Sequence, residues 1–239
     1  MLRFSVQTLI LLAVALPAVA APRAVQGITE PFMDVTLSSS VQGTVYRILF
    51  KEGAEVAQGQ VIMELDSKLE ELEIQRRREV MARSGADYEA TKQLFDRSKA
   101  VSKDELDKRY MEYKVAGAEY GIAEEQLRRR KIVAPFAGII VELYLQPGAG
   151  CEPYQSLVRL VDTKQCYFTG HIEGVSGADL QLNQAVSMEV AGSRERVDGA
   201  LIFIAPIVDS ASGLAKVKAL FPNAESRIRP GLAAKIFIP

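Results

Sequence analysis

The sequence predicts an α+β protein of elongated shape, in which a small β-sandwich is split into two halves by an antiparallel α-helical hairpin. Two observations predict this organisation. A segment of short strands and turn glycines, residues 41–66, is repeated without a gap as residues 136–161. Between the copies the sequence changes to a charged pattern with little Gly and no Pro, which is typical of long helices. Each β-unit supplies half a core, so we expect the two copies to complete one another.

The two copies share turn glycines and apolar positions. Gly43 matches Gly138, and Gly53 matches Gly148. The pairs that keep apolar side chains are Val45/Ile140, Ile48/Leu143, Phe50/Leu145, Val56/Cys151, Ile62/Leu157 and Met63/Val158. Gly53 and Gly148 each follow the first strand of a copy, where a tight turn often needs a positive φ that glycine adopts without strain. The repeat therefore predicts two similar groups of short strands.

The charged region, residues 67–131, predicts two antiparallel helices packed along a narrow apolar seam, as in a coiled coil. We expect the seam to consist of Leu69, Leu72, Val80, Tyr88, Leu94 and Phe95 in the first helix, and of Leu106, Tyr110, Tyr113, Val115, Ala118, Ile122 and Leu127 in the second. Ser102 and Glu105 form a capping box, which predicts that the second helix begins there. Helices of about 30 residues extend about 45 Å. We therefore expect the purpose of this thin projection to be to span a distance.

The first residues have the layout of a secretory signal peptide. Arg3 precedes an apolar run at residues 9–16, and Ala18 and Ala20 supply small side chains just before a cleavage site after Ala20. The run is shorter than the roughly 20 residues that span a bilayer. The sequence therefore predicts a signal peptide over residues 1–20 and an exported, periplasmic chain, with an uncleaved membrane anchor as the alternative.

Composition excludes several classes of function. The 29 Lys and Arg residues are balanced by 30 Asp and Glu residues, so there is no basic footprint for nucleic acid. His171 is the single histidine and the methionines are dispersed, so we predict no catalytic, cofactor or metal site. Export would permit a disulfide between Cys151 and Cys166. The favoured interpretation is two small buried side chains, because the repeat aligns Cys151 with Val56.

A β-unit, a helical hairpin and a matching β-unit occur together in one family, the periplasmic adaptors or membrane fusion proteins of tripartite efflux pumps. This sequence resembles that family, and in particular its HlyD and RND-adaptor type. The family's split biotinyl/lipoyl-like domain is similar to residues 38–66 and 132–163, where VAPFAG at 133–138 matches the opening of the second half. Residues 164–239 resemble the family's β-barrel domain at the stretches 206–209, 216–219 and 229–232. Residues 21–37 form a short N-terminal segment and residues 67–131 the hairpin.

The resemblance implies an adaptor without catalytic activity. Its partners would be an inner-membrane transporter of the RND or ABC class, a TolC-type outer-membrane channel, and further copies of itself in a ring of six. The residues that would dock on the channel lie at the hairpin tip: Phe95, Lys99, Val101 and Ser102. Phe203 and Arg229 are the candidates for contact with the pump or a neighbouring protomer.

Two departures from the family pattern bear on these contacts. Many adaptors dock through an Arg, Leu and Ser pattern at the tip. If Ser102 takes the place of that serine, Phe95 stands at the leucine position and Thr91 at the arginine position. Family members also usually continue into a membrane-proximal domain, which we expect this sequence to lack.

Two further features have a structural and a functional interpretation. Lys68 lies near the position of the modified lysine in true lipoyl domains, but the chain enters a helix there, and we expect Lys68 to be buried at the base of the hairpin rather than to act as a carrier. The basic clusters at residues 76–78 and 128–131 could contact an acidic partner. We favour a solvated face on which they pair with neighbouring glutamates.

The alternative to an efflux adaptor is an exported scaffold or binding protein whose hairpin holds a partner unrelated to transport. Neighbouring transporter genes, or loss of resistance on deletion, would distinguish the two functions.

Overall fold

The computed structural model describes residues 23–177, 179–192 and 196–239; the predicted signal peptide at residues 1–20 lies outside them. The chain is α+β, and its strands and helices follow in this order: β1 (Arg23–Ser38), β2 (Gly43–Ile48), β3 (Glu55–Val56), β4 (Val61–Leu65), α1 (Lys68–Ser98), α2 (Lys103–Arg128), β5 (Lys131–Val133), β6 (Gly138–Leu143), β7 (Gly150–Cys151), β8 (Ser156–Glu173), α3 (Gly174–Gly177), β9 (Ala185–Val190), β10 (Arg196–Ile204), β11 (Leu214–Pro222) and β12 (Ala233–Ile238).

The described chain divides into two units. One consists of the sandwich and the hairpin, and covers residues 30–166 and 223–230. The other is the barrel unit, which covers residues 23–29, the described residues of 167–222 and residues 231–239. The long strands β1 and β8 contribute residues to both units.

The sandwich is built by exchange between the two copies of the repeat. Strand β2 of the first copy pairs with β7 of the second, with Gly43 opposite Cys151. Strand β6 of the second copy pairs in the same way with β3 of the first, with Gly138 opposite Val56. The copies are therefore related by approximate two-fold symmetry, and neither completes its sheets without the other.

The turns of the two copies also repeat each other. Gly53 and Gly148 have positive φ angles of 83° and 88°, as the sequence predicts for both turns. The backbone N–H of Ala57 donates to Oε1 of Gln60 at 2.8 Å, and the equivalent bond in the second copy, from Glu152 to Gln155, is 2.9 Å long. Matched apolar positions of both copies meet in one core, which Ile132 and Ala134 join from just before the second copy: Val45, Val56, Ile62, Met63, Leu65, Ile132, Ala134, Ile140, Cys151, Leu157, Val158 and Leu160.

The barrel unit contains six strands in the order β1-β12-β9-β10-β11-β8, and β1 also pairs with β8 to close the sheet. Strands β1 and β12 are antiparallel, with Arg23 opposite Ile238. Because the sheet is closed, each of these described strands is hydrogen-bonded to a neighbouring strand on both sides. The interior is filled by large buried side chains: Phe168, Met188, Leu201, Phe221, Ile236 and Ile238. The predicted fold class, a split sandwich with an inserted hairpin followed by a barrel, is confirmed.

Candidate functional site

The two long helices pack along a seam with a strict heptad period. Ile74, Met81, Tyr88 and Phe95 succeed one another at that spacing on α1 and are all half-buried. The α2 partners follow the same spacing: Leu106, Tyr113, Tyr120 and Leu127. A second row one turn away is small or polar, and within α1 and α2, which the structure describes in full, Ala116 and Ala123 are the only buried residues. This is the spacing of an antiparallel coiled coil with a narrow core.

The predicted apolar stripe is wrong for most of its members. Leu69 is 77% exposed, Val115 54% and Ile122 59%, and Leu72, Val80, Leu94 and Ala118 are exposed as well. Tyr110 is 42% exposed, but its ring still contacts Tyr88 of the other helix. Tyr88, Phe95, Leu106, Tyr113 and Leu127 do face the seam. The error arises because the prediction followed apolar identity, whereas the seam follows a constant period that also accepts Arg77, Ser84 and Thr91.

Tyrosines occupy the middle of the seam. The rings of Tyr88 and Tyr113 are parallel, with centroids 6.2 Å apart, and Tyr110 lies 5.3 Å from Tyr88 at a tilt of 52°. Gly85 leaves room for the Tyr113 ring, because a Cβ on residue 85 would lie 3.1 Å from that ring. Aromatic contacts thus hold the helices together where large aliphatic side chains are few.

Arginines of both basic clusters pair with neighbouring glutamates, as the favoured interpretation predicts. Arg76 and Arg77 both bind Glu73, and Arg128 and Arg129 both bind Glu125. Hydrogen bonds from these arginines lower the pKa of Glu73 to about 2 and the pKa of Glu125 to about 2, from a usual 4.5. Arg77 also bridges the helices by pairing with Glu119.

The hairpin tip brings the predicted docking residues together. Helix α1 ends at Ser98, and Lys99 takes a left-handed conformation with φ 54° that reverses the chain. The Lys99 ammonium lies 4.2 Å from the centroid of the Phe95 ring, a cation–π contact. The hydroxyl of Ser102 accepts a hydrogen bond from the N–H of Glu105 at 3.2 Å, so the predicted start of α2 and the Ser102 half of the capping box are confirmed, while the Glu105 carboxylate pairs with Arg109. Val101 is half-buried beside it.

The two predicted pump contacts lie in different units. Phe203 is 41% exposed on β10 of the barrel, just after an irregularity in the pairing with β11. Arg229 is exposed in the 223–230 segment, which belongs to the unit of the sandwich. The docking role of the tip residues and the contact roles of Phe203 and Arg229 stay predictions.

The 223–230 segment is held by Asn223, a residue that the sequence analysis did not single out. Its side-chain amide donates to the carbonyls of Thr163 and Ile228, each at 2.8 Å, and its Oδ1 accepts from the N–H of Ile228 at 2.8 Å. The bond to Thr163, 60 residues away, is what marks Asn223 as structural, because nothing in its local sequence does.

The two cysteines are buried, whereas His171 and Lys68 are exposed. Cys151 and Cys166 are both free and buried, in line with the favoured interpretation, and burial raises the pKa of the Cys166 thiol to about 11. His171 is exposed on β8. The prediction that Lys68 is buried is wrong: it lies in the first turn of α1 with its side chain exposed. Among residues 23–177, 179–192 and 196–239, no group of three His, Cys, Asp or Glu could hold a metal.

A barrel-sandwich hybrid interrupted by a helical hairpin and accompanied by a six-stranded barrel defines the class of membrane fusion proteins. Residues 33–163 match the family model described as "RND MFP, barrel-sandwich hybrid domain", and residues 176–239 match "RND MFPs, beta-barrel domain". The chain belongs to the RND membrane fusion protein family. The resemblance inferred from the sequence is confirmed.

Curated relatives include two proteins of Pseudomonas putida. The antibiotic efflux pump periplasmic linker protein ArpA is 27% identical over 86% of this chain and 60% of the relative. The toluene efflux pump periplasmic linker protein TtgA is 27% identical over 86% of this chain and 58% of the relative. The chain thus spans less than two thirds of the length of these relatives.

Solved structures share the fold. A MacA–MexA chimera that contains the Pseudomonas aeruginosa MexA α-hairpin domain superposes with a TM-score of 0.80 over 91% of this chain and 81% of that chain, at 18% identity. The membrane fusion protein Spr0693 of Streptococcus pneumoniae R6 gives a TM-score of 0.72 over 91% of this chain and 98% of that chain, at 16% identity. Among the residues described, no helix combines the length and the apolar character needed to cross a membrane.

Proposed function

We propose that this chain is a periplasmic adaptor of a tripartite efflux pump, which bridges an inner-membrane transporter and a TolC-type outer-membrane channel. The observation that carries the proposal is the match of both the sandwich and the barrel to RND membrane fusion protein domains, with a long hairpin inserted in the first. Relatives whose names describe them as efflux pump periplasmic linkers support it. The RND description of both domains favours a transporter of that class.

The role is structural. The hairpin supplies reach: α1 alone has 31 residues, which corresponds to about 46 Å at 1.5 Å per residue. The tip residues Phe95, Lys99, Val101 and Ser102 dock on the channel by helix packing, and Phe203 and Arg229 contact the transporter or a neighbouring copy. The working unit is a ring of copies, six by family likeness, held in the periplasm after export. The chain makes and breaks no covalent bond; it couples the two membranes mechanically.

Photo-crosslinking in cells tests the proposal. A photoreactive amino acid in place of Phe95 should capture an outer-membrane channel, and one in place of Phe203 should capture an inner-membrane transporter, with the products identified by mass spectrometry. Lys51, an exposed residue in a turn of the sandwich, serves as the matched control and should not capture the channel. Capture of neither protein, in cells where the chain is abundant, would overturn the proposal in favour of a scaffold unrelated to transport.

A further inference from the structure

One guanidinium connects the hairpin to the sandwich. Nη1 of Arg130, just after the end of α2, donates to the carbonyl oxygen of Gln42 at 2.7 Å, and Nη2 donates to Oε1 of Glu70 at 2.5 Å. Gln42 directly precedes β2, and Glu70 lies in the first turn of α1. The side chain of Arg130 therefore binds the sandwich and the opposite helix at once. We call Arg130, Gln42 and Glu70 the root clamp.

The root clamp is shielded from water more than the exposed ion pair two residues before it. The side chains of Arg130 and Glu70 are 21% and 16% exposed, whereas those of Arg128 and Glu125 are 71% and 39% exposed. Shielding strengthens the attraction between the charges and makes the loss of one partner costly. The backbone reinforces the same point, because the carbonyl of Arg130 accepts a hydrogen bond from the N–H of Leu65 at 2.8 Å.

A glycine makes room for the guanidinium. A Cβ on Gly43 would lie 2.8 Å from Nη1 of Arg130. The matching glycine of the second copy, Gly138, has a different neighbour, since a Cβ there would lie 2.6 Å from the carbonyl oxygen of Val161. The two copies thus use the same glycine for different purposes, and only the first copy receives the hairpin arginine.

We propose that Arg130 is the positioning residue of the hairpin: the root clamp sets the direction in which the two helices leave the sandwich. The helices contribute few buried side chains of their own, so their direction depends on contacts at the root. Over a length of about 45 Å, a rotation of about 10° at the root moves the tip by about 8 Å, which is more than one helical turn. A displacement of that size removes helix-packing contacts at the tip. The consequence for transport rests on the proposed function; the clamp itself does not.

Distance measurements between spin labels test the clamp on the purified full chain, without any partner. One label is placed at the tip by Ala100→Cys and the other on the sandwich by Lys51→Cys, both exposed positions, while the native cysteines are buried. We expect a narrow distance distribution in the parent protein. Arg130→Ala should broaden it at least two-fold, and Arg130→Lys should have an intermediate effect because an ammonium lacks the fork that reaches Gln42 and Glu70 together.

Two matched controls separate positioning from general damage. Arg128→Ala removes an exposed arginine two residues away and should leave the distribution unchanged. Gly43→Ala should broaden the distribution less than Arg130→Ala does, because the new methyl displaces only the far end of a flexible side chain, whereas Gly150→Ala adds a methyl that meets no atom within 4 Å and should leave the distribution unchanged. If Arg130→Ala prevents folding, Gly43→Ala and Arg130→Lys decide the question. Unchanged distributions in both of these variants would overturn the proposal.

A second readout distinguishes failure of the clamp from failure of the proposed function. In cells, Gly43→Ala should reduce capture of the outer-membrane channel from Phe95 at equal protein level, and Gly150→Ala should not. Broadened distances without any capture in the parent protein would uphold the clamp and reject the adaptor function. Capture in the parent with unchanged distances in Gly43→Ala and Arg130→Lys would uphold the adaptor function and reject the clamp.

Discussion

The sandwich and the hairpin are stabilised in opposite ways. The sandwich buries Ile62, Met63, Leu157 and Leu160 completely, with contributions from both copies of the repeat. Helix α1, whose 31 residues are all described, has no buried residue. Because burial of apolar area is the main source of stability, the sandwich stabilises itself, while the hairpin depends on its seam, its caps and its root. A region that extends far from its own core cannot also be well buried.

The largest expected effect is the difference in stability loss between truncating a buried leucine of the sandwich and truncating an exposed leucine of the hairpin. Leu160→Ala should lower the free energy of unfolding of the sandwich by about 2–5 kcal/mol, because it opens a cavity in a closed core. The matched change Leu94→Ala, at a residue of the hairpin that is 52% exposed, should cost less than about 0.5 kcal/mol. Urea unfolding followed by circular dichroism measures both. Equal losses would contradict the contrast between the regions.

A smaller effect concerns the cap that begins α2. Ser102→Ala removes the acceptor of the Glu105 N–H and should destabilise the start of the helix by about 1 kcal/mol. Ser102→Asp keeps an acceptor at the same position and should be nearly neutral. Amide hydrogen exchange of the first turn of α2 reports the difference. Equal exchange rates in the two variants would show that the cap is not a source of hairpin stability.

The smallest effect is a dependence of the hairpin on pH. The pKa of Glu73 and the pKa of Glu125 are lowered to about 2 by their arginines, so their contribution is complete above the usual value of 4.5 and is lost as the pH falls from there towards 2. We expect a modest loss of helicity over that window. Glu73→Gln and Glu125→Gln together should remove the response. Persistence of the full response in that double variant would assign it to other groups.

Much of the architecture could be predicted because its signals are local or repeated. The turn glycines Gly53 and Gly148, the change of pattern between the copies and the cap at Ser102 all lie in short stretches of sequence. The seam could also have been found from the sequence, since Ile74, Met81, Tyr88 and Phe95 keep one heptad period. Exposed leucines imitate an apolar stripe when the heptad period is not enforced, so apolar identity alone points to the wrong residues. The roles of Phe95 and Phe203 rest on likeness to the family and await the crosslinking test.

The sequence by itself determined the repeat, the turns and the lengths of the helices, because these depend on backbone preferences within a few residues. Only the tertiary structure decided that β2 pairs with β7 and β3 with β6, that Arg130 reaches Gln42, and that Asn223 ties its segment to Thr163. These contacts join residues far apart in the chain. A polar or charged side chain takes its partners from whatever the fold brings near it, and no local pattern contains that information.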